Sequence, residues 1–152
     1  MGTYHADKQD ARSLAAQRYS LQMTVFLQIN GTAIVDIPSF YAEINRVFMA
    51  GENWQLGPSL DALDDLLYGG YGALAGHKTA TVVWRDIDCS RDALGMAATR
   101  AWLQDKLRQP GTFNAEAIGR QLDALQRGDG QTYFQIVMDI FAGHPDVALV
   151  GD

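Results

Sequence analysis

The chain has 152 residues, 47% hydrophobic and 20% charged, an ordinary globular balance that suits one domain with its own core. Its formal net charge of −6 argues against a nucleic-acid binder, whose phosphate contacts need a basic surface, and is compatible with a basic protein partner. No apolar run approaches the roughly 18 residues of a membrane span, and the single cysteine, Cys89, has no partner for an internal disulfide.

Residues 1–22 are polar and mixed in charge and read as a loosely ordered arm, helical from about Asp10 to Tyr19. The opening MGTYHADKQDARSLAAQ lacks an apolar signal-peptide region, so a cytoplasmic location is expected. A domain then spans 23–152. Met23 to Ile29 (MTVFLQI) is apolar and β-branched and stops at the turn dipeptide Asn30-Gly31, which predicts a strand and a turn. Asp36 and Pro38 mark a helix start, and Phe40, Ile44, Val47 and Phe48 recur at helical spacing, giving a helix over about 38–49. The stretch AGENWQLGP at 50–58 is loop by composition.

Ser59 opens a second helix, LDALDDLLY, that stops at Gly69-Gly70. Leu60, Leu63 and Leu67 line one of its faces, and Asp61 and Asp65, four residues apart, share another. A glycine-rich loop, YGGYGALAGHK, leads to the strand TATVVW at Thr79–Trp84, whose continuous apolar and β-branched character suits a strand covered on both faces. Asp88 or Ser90 caps a helix expected to run to about Leu107, with Met96, Trp102, Leu103 and Leu107 as its core face and Pro110-Gly111 beyond its end. Asn114 to Gln126 is another helix. Thr132 caps a last one, YFQIVMDIFA, which ends at Gly143 before the strand Asp146 to Val150. Strands separated by helices predict a small parallel α/β sheet with right-handed crossovers.

Three stretches carry a family resemblance: LQING near the first strand, LGPSLDALDDLLYGG around the second helix, and VVWRDID at the second strand. In kind, order and separation they are similar to the barstar family. The resemblance covers 24–90 and returns more weakly at 132–152, leaving about 91–131 as a helical insertion and 1–22 as an extra arm. It implies an α/β barstar-like fold, a small three-stranded parallel sheet packed with helices.

It also implies an intracellular, immunity-type inhibitor that occludes a bacterial ribonuclease, monomeric when free, with no catalysis, cofactor or metal of its own. In such proteins the second helix and its preceding loop plug the nuclease active site, and the helix aspartates stand in for RNA phosphates. Those roles fall here on Asp61 and Asp65. Carboxylates one turn apart mimic two phosphate charges, and arginine meets them with bidentate, charge-assisted bonds.

The sequence departs from the family in several places. The loop aromatic expected just before Gly57 is replaced by Gln55 or Leu56, with Trp54 one step earlier placed to supply it. Ser59 stands where the family has asparagine, and Asp64 stands where it has an aromatic between the two aspartates, which makes the face more acidic. Tyr68, Gly69 and Tyr71 belong to the loop that leaves this helix, and Asp139 aligns with an acidic residue of the family's last helix.

Rival readings find less support. The same fold with the altered loop and the 91–131 segment would serve a non-ribonuclease toxin or regulator. An enzyme would need a nucleophile with a base, and neither Cys89-Ser90 nor His77 and His144 stand in a triad pattern. His5, His77 and His144 lack metal-ligand spacing. Gly69, Gly70 and Gly72 are followed by no Lys-Ser/Thr entering a helix, which excludes a nucleotide-binding loop.

Overall fold

The computed structural model describes residues 11–15, 23–109, 111 and 113–152. Of the expected arm, 11–15 is helical and exposed, and the remainder lies outside the described residues, as does Pro110.

Strand β1 (Thr24–Asn30) ends at Gly31, where the chain passes against the end of β2 (Thr79–Arg85). A Cβ on Gly31 would sit 2.3 Å from the carbonyl oxygens of Arg85 and Asp86, so only glycine allows this approach. Helix α1 (Ile37–Phe48) starts with a capping box: the Asp36 carboxylate accepts from the Ser39 amide at 2.8 Å, and the Ser39 hydroxyl accepts from the Asp36 amide at 3.0 Å. Helix α2 (Leu60–Leu67) is capped by Ser59, whose Oγ accepts from the Ala62 amide at 3.2 Å.

The sheet is parallel throughout, in the order β1-β2-β3, with β3 spanning Val147–Gly151. Ile29 lies opposite Trp84, and Val82 opposite Leu149. Along β2, Ala80, Val82 and Trp84 are buried, whereas Thr79, Thr81 and Val83 are half-buried. Both faces of β2 are therefore covered, as its continuous apolar run implied, but unevenly: one meets the core and the other is partly screened.

The single helix expected up to Leu107 is two, α3 (Ile87–Ala93) and α4 (Met96–Leu107). Leu94 is fully buried and its carbonyl accepts from the Phe134 amide at 3.0 Å, which takes the chain off the helical path. Neither Asp88 nor Ser90 caps α3. Asp86 holds that position in a left-handed conformation (φ 52°). Ser90 is buried instead, accepting from the Trp84 indole N–H at 2.9 Å and donating to the Gly31 carbonyl at 3.2 Å. Arg85 pairs with Asp152 at 2.8 Å rather than with Asp86 or Asp88, and Asp88 pairs with Arg91.

On α4 only Leu103 of the expected core face is buried. Trp102 is half-buried, and Met96 and Leu107 are exposed, because α4 lies at the rim of the molecule. Helix α5 (Ala115–Gln126) is capped by Asn114, and α6 (Tyr133–Ala142) by Thr132 with Gln135 completing a box.

The core gathers on the helical side of the sheet around Trp84, with the Phe40, Phe134 and Phe141 rings 5.9–6.2 Å from it. The hydroxyls of Tyr41 and Tyr133 lie 2.5 Å apart and join α1 to α6 inside it. Among the described residues no helix is long and apolar enough to cross a membrane.

Candidate functional site

Helix α2 is held from beneath by Leu63, Leu66 and Leu67, all buried, with Leu60 half-buried. This leaves Asp61 and Asp65 exposed on its outer face, as the helical period requires. Asp61 lies in the first turn, where negative charge favours the helix dipole.

The loop before α2 is fastened by Asn45 of α1. The Leu56 amide donates to Asn45 Oδ1 at 2.8 Å, and Asn45 Nδ2 donates back to the Leu56 carbonyl at 3.2 Å. This clamp sends Leu56 into the core and leaves Gln55 exposed. Trp54 is turned outward, 45% exposed, with its ring tilted against Tyr71 at 4.9 Å between centroids. The exposed aromatic of this loop is Trp54, and Leu56, the position adjoining Gly57, is packed in the core.

The loop after α2 is fastened in the same way, by Glu52 Oε1 accepting from the Gly72 amide at 3.0 Å. Gly72 has φ +72°, and a Cβ there would lie 2.5 Å from the Phe48 carbonyl oxygen. Burial, and then the negative charge of Asp65, push the Tyr71 phenol above its ordinary range. Trp54, Tyr71 and Asp65 thus form one neighbourhood. Gly69, at φ +84°, turns the chain out of the helix, and Gly57 stands in open space, where a Cβ would meet nothing within 4 Å.

The other candidates are arranged differently. Asp64 is tied by a 2.6 Å contact between its Oδ1 and His144 Nε2, and its side chain keeps 46% exposure. Tyr68, 74% exposed, meets the His144 ring edge-on at 4.6 Å. Residue spacing gave no sign of this role for His144, which lies 80 positions from Asp64. Asp139 is exposed on α6 and accepts from Gln131 Nε2 at 2.5 Å, so its described hydrogen bond is to its own end of the chain and not to α2.

At the Asp61 end, a cleft is lined by Pro58, Ser59 and Asp61 together with Trp102, Lys106 and Phe113. Neither Asn45, Glu52 nor Lys106 was marked by any local signal in the sequence. Among the described residues no group of three or more His, Cys, Asp or Glu side chains is placed to hold a metal ion. The arrangement sets exposed carboxylates and an exposed aromatic on a helix and loop that are fastened to the core.

The family model described as Barstar (barnase inhibitor) matches residues 24–118. None of the curated proteins compared with the chain matches it. The matched span includes β1, α1, both loops, α2, β2, α3 and α4. It runs past the motif resemblance at 24–90 and ends before α6 and β3.

Proposed function

The chain belongs to the barstar family, and from that premise we propose that it inhibits a bacterial ribonuclease by laying α2 and the Trp54–Gly57 loop into the enzyme's active site. The observation that carries this is the pair Asp61 and Asp65, exposed on one face of a helix whose other face and both flanking loops are fastened to the core. A nuclease holds a phosphodiester with cationic side chains. Two carboxylates one helical turn apart offer those cations charge-assisted hydrogen bonds in place of phosphate. Because the helix is already ordered, little conformational entropy is lost on docking. The net charge of −6 speeds encounter with a basic enzyme. Inhibition is by occlusion, and no bond is made or broken on this chain.

The test is a titration into barnase cleaving labelled RNA, with Asp65→Ala alongside. Stoichiometric inhibition is expected from the wild type. The variant should bind more weakly by about 1.5–3 kcal/mol, roughly 10- to 100-fold in Kd, with an unchanged melting temperature. Inhibition should weaken with salt, since exposed charges are screened. Equal potency of the two proteins would remove α2 from the mechanism. No inhibition by either would overturn the proposed ribonuclease inhibition and favour the same fold serving a different kind of toxin.

A further inference from the structure

Helix α4 brings a cation to the edge of this acidic surface. Lys106 Nζ lies 4.0 Å from the centroid of the Trp102 ring and 5.1 Å from that of Phe113. Trp102 meets the buried Tyr133 edge-on at 4.9 Å, so the nearer of the two rings is anchored to the core, while Phe113 is exposed. Lys106 and Asp61 line the same cleft. Burial holds the ammonium below the ordinary lysine range, and the negative charge of Asp61 works in the opposite direction. Lys106 is thus half-buried, held over two rings, and in electrostatic communication with one of the two carboxylates offered to a nuclease. At the other end of the face, Asp65 acts on the Tyr71 phenol, whose ring lies against Trp54.

Resting on the inhibitor function proposed above, we propose that Lys106 is a specificity-determining residue that gates access to Asp61. An arginine or lysine aimed at Asp61 also meets the Lys106 ammonium, and that like-charge encounter costs affinity. The cost is offset when the partner carries a carboxylate that meets Lys106 as its cations reach Asp61 and Asp65. The kind of partner that fits is therefore a ribonuclease whose cationic active site is edged, on the side facing the start of α2, by an acidic residue. A nuclease without that residue is discriminated against at Asp61 while still being attracted to Asp65.

The experiment measures Kd for barnase at low salt with the wild type, Lys106→Gln, Lys106→Arg, Asp61→Asn and the Lys106→Gln/Asp61→Asn double variant, with Asp65→Ala as a control. Lys106→Gln is expected to change Kd by about tenfold or more, while Lys106→Arg, which keeps the charge, stays near wild type. A gain in affinity means that barnase lacks the matching carboxylate, and a loss means that it has one. In the Asp61→Asn background the effect should fall to within about threefold, because the gate acts through Asp61. An Lys106→Gln effect under threefold, or one undiminished by Asp61→Asn, overturns the gate. If that occurs while Asp65→Ala still weakens the complex, the inhibitor function stands and only the gate fails. If no protein in the set binds barnase, both fail together.

Discussion

Two glycines of the candidate surface have opposite reasons for being glycine. Gly72 is required by the fold: its φ of +72° and the Phe48 carbonyl, 2.5 Å from where a Cβ would lie, both exclude a side chain. Gly72→Ala is expected to destabilise the protein by about 1–3 kcal/mol, read as a lower midpoint in urea. Gly57 is not required by the fold, because a Cβ there meets nothing within 4 Å. Gly57→Ala should leave the urea midpoint unchanged or slightly raised, since alanine restricts the unfolded chain. If the loop seats against a nuclease as proposed, the same methyl group should weaken binding. A Gly57→Ala protein with full affinity would place the loop outside the interface. Asp64 illustrates the same divergence: it follows the helix pattern of its acidic neighbours, but its carboxylate is held by His144.

At the scale of elements, α2 is only eight residues long and too short to be stable by itself, so its geometry is inherited from what grips it. Its leucines pack downward, Ser59 caps its start, Asn45 holds the loop before it and Glu52 the loop after it. Asn45→Ala leaves the buried amide and carbonyl of Leu56 without their partner, at about 1–3 kcal/mol for each group left unsatisfied. Both stability and inhibitor potency are expected to fall, because Trp54 loses the backbone that presents it. Thermal melts paired with the nuclease titration check this. A stability loss with unchanged potency would separate the loop from recognition.

At the scale of the whole molecule, the tyrosine pair joins α1 to α6 across the core. Burial raises both phenols above the ordinary value of 10.0, and the mutual hydrogen bond raises Tyr41 further while partly lowering Tyr133. The folded protein therefore keeps both protonated at a pH where the unfolded chain ionises them. Their contribution to stability is full below pH 10.0 and is lost as pH rises above it. Urea midpoints measured from neutral pH to about pH 11 should decline for the wild type, with a shallower decline for Tyr41→Phe. Parallel curves would mean that the pair does not control the alkaline transition. The family relationship spans the same scale, since the matched residues 24–118 run from β1 through α4 and include α2 and the two loops that flank it.

The sequence by itself determined the features whose causes lie within about one turn of chain. Asp36, Ser59, Asn114 and Thr132 start their helices through bonds to amides three residues on, and each was readable from residue type and spacing. The exposed pair Asp61 and Asp65 followed from the helical period, and the strands from β-branched runs bounded by turn residues. Tertiary structure alone decided which way each group was then used. The break at Leu94-Gly95 came from Leu94 entering a core built by distant elements. Asn45 chose Leu56 for the interior and left Trp54 to face outward. His144 took Asp64, Asp152 took Arg85, and α4 brought Lys106 into the cleft that Asp61 lines. Those pairings join residues far apart in the chain, and they exist only because the packed core brings the elements together; periodicity and capping carry no information about them.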